Sequence, residues 1–136
     1  MIKYDKDGVR LNQTGWRDEW ISNRHRTWGF DCPATDIDFL MVEYTNRNPI
    51  ALIEYKTTGS LKYLGQDKAL LDHLPVSRLA MMAGLPSFIC AYDQKEIEFW
   101  VKATNAKGEV ELTSDKWIKM DETTYIGFLN YIRMTK

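Results

Sequence analysis

Two apolar runs separated by a polar turn lie near the middle of the chain, IDFLMV and then IALI. Runs of this length, bounded by turn-forming residues, predict β-strands, here over residues 37–44 and 50–57. Pro49 stands at the entrance of the second strand, where a strand tolerates proline. A second pair of apolar runs predicts strands over residues 86–93 and 97–104, joined by a tight turn.

Helical patterns precede, separate and follow these strands. Apolar residues recur at helical spacing from about Thr14 to Arg26, which predicts an amphipathic helix. After the second strand, KTTGSLKYLGQ predicts a polar loop, and DKALLDHL and PVSRLAMMAG predict two helical segments, the second opened by Pro75. A loop around Gly108 precedes a last helix from about Asp121. The order is α, β, β, α, β, β, α, so we expect an α/β fold with a central mixed sheet flanked by helices.

Length and composition indicate one folded domain over residues 1–136. Hydrophobic residues make up 44% of the chain and charged residues 27%, as in ordinary globular proteins. The net charge of -1 gives no overall attraction to nucleic acid, so such binding would need a local basic patch.

Cysteine content and apolar runs bear on the compartment. Cys32 and Cys90 are too few for a disulfide framework or a metal cluster, which indicates a reducing, intracellular environment. Cys90, inside SFICAY, is most simply a small buried hydrophobe. The N-terminus lacks the apolar stretch of a signal peptide, and no run reaches the roughly 18 apolar residues that cross a bilayer. We therefore expect a cytoplasmic protein without a membrane segment.

Charged residues interrupt the apolar pattern of the first strand pair. Side chains alternate faces along a strand, so Glu54 and Lys56 share one face of the second strand. Antiparallel pairing across the turn brings Asp38, with Asp36 near it, opposite these residues. Neighbouring carboxylates repel unless a cation lies between them, and hard oxygen ligands suit Mg²⁺ or Mn²⁺. A lysine beside such a cation can orient a water or stabilise charge on a phosphate, which is the chemistry of phosphodiester hydrolysis.

A structural role competes with this interpretation. An E-x-K pattern on a strand is common, and it usually forms a solvated strand face or a cross-strand salt bridge. Against that role, the two strands are otherwise apolar, and charges on a strand that is buried on one side cost free energy without a function. A polar, glycine-containing segment follows directly, which leaves space for a substrate.

These residues resemble the PD-(D/E)xK nuclease superfamily, whose members carry an aspartate at the start of one strand and (D/E)-x-K on the next. Here Asp38 precedes FLMV, and IEYK carries Glu54 sixteen residues later. The resemblance implies a restriction-endonuclease-like core of order α-β-β-β-α-β, although only two strands are predicted before the middle helices. It also implies a Mg²⁺- or Mn²⁺-dependent deoxyribonuclease in which Asp38 and Glu54 bind the metal and Lys56 acts beside the attacking water. Asp36 is the alternative metal ligand.

The resemblance extends to residues outside the two strands. Many relatives carry a glutamate on the first helix that completes the metal site, and Glu19 is the candidate here. A solvated helix carboxylate is the alternative for Glu19. Gln66 resembles the polar residue that some relatives place on the next helix, on the substrate side.

Basic residues near aromatic ones suggest where DNA would bind. Arg17 and Arg24 cluster beside tryptophans, and Lys62 flanks the expected site. Arginines near aromatic rings can bind phosphates and stack on exposed bases. The alternative is that the tryptophans belong to the core and the arginines solvate the other helix face. His25 and His73 are solitary in the sequence, and we assign neither to a metal.

DNA is the substrate and partner that the resemblance implies. Small members of the superfamily include Holliday-junction resolvases and phage or mobile-element endonucleases, so we expect structure-specific cleavage of junctions or branched DNA in a host cytoplasm. Cutting two strands with one active site per chain favours a homodimer with two-fold symmetry. The competing hypothesis is a catalytically inactive α/β module that binds nucleic acid or protein, and an enzyme acting on RNA or nucleotides also stays open.

Overall fold

The computed structural model describes residues 19–28, 35 and 37–134. The chain divides into two compact units, Met1–Asp36 and Ile37–Lys136. The first unit contains helix α1 (Glu19–Trp28), and the predicted start of that helix at Thr14 lies outside the described residues. The single domain expected over residues 1–136 stays a prediction.

The second unit is an α/β structure built on a mixed sheet that has five strands in the described part of the chain. Its elements in chain order are β1 (Phe39–Glu43), β2 (Asn48–Thr57), α2 (Thr58–Leu64), α3 (Gln66–Ala83), β3 (Ser87–Asp93), β4 (Glu98–Ala103), α4 (Ala106–Leu112), β5 (Ile118–Asp121) and α5 (Glu122–Met134). The strands lie in the order β1-β2-β3-β4-β5, with β2 and β3 parallel and the other neighbouring pairs antiparallel. The predicted α/β class with a flanked mixed sheet is confirmed. Of the helices described, none combines the length and apolar character that crossing a membrane requires.

Helices cover both faces of the sheet, which explains why residues 50–53 of β2 are all buried. Ile53 belongs to a core cluster that includes Tyr125 of α5, whereas Leu52 belongs to a second cluster that includes Val76 of α3. Burying an aliphatic side chain of this size stabilises a fold by about 1.5–3 kcal/mol. Alternate residues of β2 therefore face different helices.

Two segments predicted as loops are short helices. Thr57 caps α2, and its hydroxyl oxygen accepts a hydrogen bond from the Ser60 amide at 3.1 Å. Gly65 follows α2 with a φ of 87°, in the left-handed region that glycine adopts without strain. Asn105 caps α4 in the same way, accepting from the Gly108 amide at 2.8 Å. The sequence pattern missed both helices because these capping residues are also turn formers.

The two helical segments predicted on either side of Pro75 form one helix, α3. A proline inside a helix removes one backbone hydrogen bond, here to the carbonyl of Leu71. Pro75 and Leu71 are both exposed, so water can satisfy that carbonyl and the helix continues. Gly84 ends α3 with a φ of 75°, as the sequence predicts.

Candidate active site

The charged residues of β2 lie near its carboxyl end, where the chain enters α2. Thr57 pairs with Tyr92 at the last step of the parallel register between β2 and β3. The carboxyl ends of strands are where ligands bind in open α/β sheets. Leu52 packs on the α3 side, so the alternation of side chains puts Glu54 and Lys56 on that same face.

Asp38 lies directly before β1 and reaches β2 through its carboxylate. Phe39 pairs with Ile53 in the antiparallel register. One step further along that register, Asp38 lies opposite Glu54, within the segment 54–56 that the strand-pairing argument predicts. Oδ2 of Asp38 accepts a hydrogen bond from the Tyr55 amide at 3.1 Å. Because that amide belongs to the peptide that joins Glu54 to Tyr55, the Asp38 carboxylate lies beside the Glu54 backbone.

Glu54 faces a buried histidine of α3. Its Oε2 lies 3.3 Å from Nδ1 of His73, and the two side chains are 15% and 0% exposed. The distance is that of an ion pair, although its direction falls short of hydrogen-bond geometry, and neither atom has another polar partner within the described ranges. His73, solitary in the sequence, thus gains a partner that the sequence does not predict, because the packing of α3 on β2 brings it to Glu54.

Lys56 is half-buried and pairs in the sheet with Ala91 of β3. The methyl group of alanine is too small to cover a lysine side chain. Among the residues that the structure describes, Lys56 has no ion pair and no side-chain hydrogen bond. Its ammonium group is therefore available to an anion or a water.

The oxygen atoms of this site suit a hard divalent cation. Oδ2 of Asp38 accepts the hydrogen bond from the Tyr55 amide, which leaves Oδ1 for a cation. Oε2 of Glu54 faces His73, which leaves Oε1 for a cation. Mg²⁺ is usually bound through one or two carboxylates, with water and substrate phosphate as its other ligands. Across the described ranges no three His, Cys, Asp or Glu side chains are grouped so as to hold a metal. Two carboxylates fit Mg²⁺ or Mn²⁺ and would not suffice for a closed structural metal site.

The structure describes some, and leaves out others, of the remaining residues that the sequence predicts for the site. Asp36 and Arg17 lie outside the described residues, as does the side chain of Glu19 at the start of α1. Gln66 is the first residue of α3 and is exposed, and Lys62 is exposed in the last turn of α2. Both belong to the helices that follow the carboxyl end of β2.

Arg24 lies over an aromatic ring within the first unit. Its guanidinium carbon is 4.9 Å from the centroid of the Trp20 ring, which is 62% exposed. This is a cation–π geometry. The alternative in which Trp20 is a core residue is wrong, because its ring lies on the surface.

The titratable groups on the opposite face of β2 are unsuited to chemistry at neutral pH. Cys90 is buried, as predicted, in the cluster on the α5 side. Burial raises the pKa of its thiol to about 12, and burial also raises the pKa of Tyr55 and of Tyr125. These groups therefore keep their protons at neutral pH.

Comparison with family models, with curated proteins and with solved structures finds no match to this chain. The function of the chain is therefore inferred from Asp38, Glu54, Lys56 and their surroundings.

Proposed function

We propose that this protein is a metal-dependent endonuclease that hydrolyses DNA phosphodiester bonds. The observation that carries the proposal is the hydrogen bond from the Tyr55 amide to the Asp38 carboxylate. It brings the first acid of the pattern to the strand that bears Glu54 and Lys56. Two acids and a lysine then lie on neighbouring positions of one sheet face, toward the carboxyl end of β2. The resemblance to PD-(D/E)xK nucleases leads one to expect this arrangement.

Asp38 and Glu54 would hold the metal, each through the carboxylate oxygen that its other contact leaves unused. A bound Mg²⁺ or Mn²⁺ polarises a phosphoryl oxygen and lowers the pKa of a bound water. Lys56 donates to the attacking water or to a phosphate oxygen, and its positive charge offsets the negative charge that develops on the phosphate. Gln66 and Lys62, on the helices that follow β2, would contact the substrate.

The topology supports the finer fold assignment, a restriction-endonuclease-like core. In the described residues an antiparallel strand pair is followed by a helical crossover and then by a parallel strand, β3. This arrangement corresponds to the later part of the order α-β-β-β-α-β. Glu19, Asp36 and Arg17 keep the roles that the resemblance gives them as predictions.

DNA is the proposed substrate, and a homodimer acting on junctions or other branched DNA is the proposed working form. The exposed pair of Arg24 and Trp20 supports nucleic-acid binding, since such a pair can neutralise a phosphate and stack on a base. Two identical chains would bring two active sites to the two strands of a duplex. The same proposal includes a cytoplasmic location. If a phage encodes the protein, that location is the cytoplasm of the host.

A second candidate function is a catalytically inactive module that binds nucleic acid or protein. The contact that favours it is the one between Glu54 and His73, because a carboxylate that is held by a buried histidine can be a structural element. Under this hypothesis Asp38, Glu54 and Lys56 are a polar patch on the sheet, and their replacement affects stability and leaves DNA uncut.

Cleavage of labelled DNA with Mg²⁺ or Mn²⁺ tests the two candidates. The substrates are single strands, linear duplex, flaps and a four-way junction. We expect the wild-type protein to cut, and we expect Glu54→Gln and Lys56→Ala each to reduce the rate at least about 100-fold while the protein stays folded, since each removes charge stabilisation.

Matched controls come from α4, which connects β4 to the edge strand β5. Glu109→Gln and Lys107→Ala make the same chemical changes at exposed positions, and we expect both variants to cut like the wild type. Absence of cleavage with either metal, or equal cleavage by the Glu54 and Lys56 variants, would leave the inactive binding module as the better account.

A further inference from the structure

A chain of polar side chains runs through the interior behind Glu54. Nδ1 of His73 faces Glu54 at 3.3 Å, and Nε2 of His73 lies 3.1 Å from the Thr104 hydroxyl. The Thr104 hydroxyl is in turn 2.6 Å from the Ser87 hydroxyl. Glu54, His73, Thr104 and Ser87 form what we call the Glu54 relay, which links β2, α3, the end of β4 and the start of β3.

The far end of the relay is fixed by the backbone. The Thr104 amide donates to the Ser87 carbonyl at 2.9 Å, so the two hydroxyl-bearing residues are tied together twice. The Ser87 amide donates to Oδ1 of Asn105 at 3.2 Å, which is the same oxygen that caps α4. His73 and Ser87 are both fully buried. The imidazole therefore has a rigid partner on its Nε2 side.

The chemistry of the groups assigns the hydrogen positions in the contact between Glu54 and His73 and in the two hydrogen bonds behind it. An ionised carboxylate only accepts, so the Nδ1 that faces Glu54 must carry hydrogen for the contact to be attractive. In a ring whose single hydrogen is on Nδ1, Nε2 then accepts from the Thr104 hydroxyl, and the Thr104 oxygen accepts from the Ser87 hydroxyl. All donors of the relay thus point toward Glu54.

Packing alone does not require a histidine at this position. The neighbours of His73 on the buried stripe of α3 are Ala69, Val76, Ser77 and Ala80, and an apolar side chain in that row would fill the space without burying two ring nitrogens. Burial of unpaired polar groups costs free energy, so the imidazole needs partners on both sides. Glu54 is the polar partner on its Nδ1 side in the described chain.

We propose that His73 is a positioning residue for Glu54. With hydrogen on Nδ1 and with Nε2 bound by Thr104, whose hydroxyl is bound in turn by Ser87, it attracts Oε2 and leaves Oε1 for the cation. Outer-shell partners of this kind commonly change metal affinity about 10–100-fold when they are removed. The part of this inference that concerns the cation rests on the proposed nuclease function, whereas the tautomer of His73 does not.

The tautomer is measured by nitrogen-detected NMR of the imidazole in the full-length protein. We expect His73 to carry hydrogen on Nδ1 in the wild type. We expect Thr104→Val, which keeps the shape of the residue and removes its hydroxyl, to abolish that preference. Hydrogen on Nε2 of the wild-type ring, with Nδ1 bare, would overturn the proposal whatever the protein does to DNA.

Mn²⁺ affinity, measured by calorimetry, tests the consequence for the cation. We expect Thr104→Val to weaken Mn²⁺ binding about 10-fold or more. Ser77→Ala is the matched control, because the Ser77 hydroxyl is also buried on α3 but donates to the Leu74 carbonyl of its own helix. His73→Asn keeps an N–H donor close to the Nδ1 position, so it should retain a higher Mn²⁺ affinity than His73→Gln. Equal Mn²⁺ affinity of Thr104→Val and wild type would overturn the positioning role.

The outcomes separate this inference from the function on which part of it rests. A wild-type protein that binds no Mn²⁺ and cuts no DNA contradicts the nuclease proposal and the cation part of this one. If His73 of that protein carries hydrogen on Nδ1, and if Thr104→Val removes this preference, the contact of His73 with Glu54 is still supported. A protein that cuts DNA but has the Nε2 tautomer contradicts the relay alone.

Discussion

One added methyl group at Gly108 should disturb the hydrogen bonds of Ser87 and Asn105 at the far end of the Glu54 relay. It is buried in the first turn of α4. A Cβ built there would lie 2.6 Å from the Ser87 carbonyl oxygen, 3.1 Å from the Cβ of Ala103 and 3.2 Å from Oδ1 of Asn105. Real Cβ atoms do not approach a backbone oxygen at 2.6 Å, so Gly108→Ala forces α4 or β3 to move.

The loss of stability follows from the hydrogen bonds that the displaced atoms make. The Ser87 oxygen accepts from the Thr104 amide, and Oδ1 of Asn105 accepts from the amides of Gly108 and Ser87. Overpacking of this kind costs about 1–3 kcal/mol, and a weakened helix cap costs about 1 kcal/mol more. The better helix propensity of alanine returns at most about 1 kcal/mol. We therefore expect Gly108→Ala to lower the free energy of unfolding by about 1–3 kcal/mol, which corresponds to about 3–10 °C in Tm.

Urea unfolding and thermal melts measure this difference. Gly127→Ala is the control, because Gly127 is exposed inside α5 and a Cβ there meets no atom within 4 Å. We expect Gly127→Ala to match or exceed the wild type by up to about 1 kcal/mol. A Gly108→Ala protein as stable as the wild type would refute the close approach of α4 to Ser87.

Three further outcomes follow from the cluster on the α5 side. Burial raises the pKa of Cys90, Tyr55 and Tyr125, so the folded state keeps protons that the unfolded state loses. The free energy of unfolding, measured by urea titration, should therefore fall as the pH rises above 9.0, the ordinary value for a thiol, and a flat profile to about pH 10.5 contradicts this. Tyr125→Phe loses the hydrogen bond to the Tyr55 hydroxyl (2.5 Å), so it should unfold about 1 kcal/mol more easily at neutral pH in the same titration; stability equal to the wild type counts against that bond. In a Cys32→Ser background, a thiol reagent at about pH 8 should react slowly with native Cys90, because burial raises the pKa of its thiol to about 12, and rapidly in urea; fast reaction of the native protein argues against burial.

Strands β1 to β4 were predictable because their apolar runs are bounded by turn-forming residues, whereas the four-residue strand β5 leaves no run of that length in the sequence. The apolar run at residues 50–53 indicates a strand buried on both faces, and the polar turn before it places the two strands side by side. The exact register, with Asp38 opposite Glu54, also depends on a bulge between Met41 and Val42 that the sequence pattern does not show. The continuity of α3 through Pro75 was not predictable, since it depends on a surface position where water satisfies the freed carbonyl.

The partner of Glu54 was beyond the reach of sequence patterns. His73 lies nineteen residues after Glu54, and their contact depends on how α3 packs across β2. The signal in the sequence is a histidine at helical spacing among small and apolar residues, on the helix that follows the E-x-K strand. That pattern is also typical of a core histidine that is hydrogen-bonded to the backbone. It predicts a contact with Glu54 only when the position of α3 on the sheet is known.

Divalent-cation binding at Asp38 and Glu54 is the step on which the proposed activity depends, and paramagnetic NMR with Mn²⁺ locates it directly. We predict that substoichiometric Mn²⁺ broadens the backbone amide signals of residues 38 and 54–56 first, and that Glu54→Gln removes the effect. Broadening that is absent, that centres on another acidic segment such as residues 109–111, or that persists unchanged in Glu54→Gln would contradict a metal-dependent active site on β2.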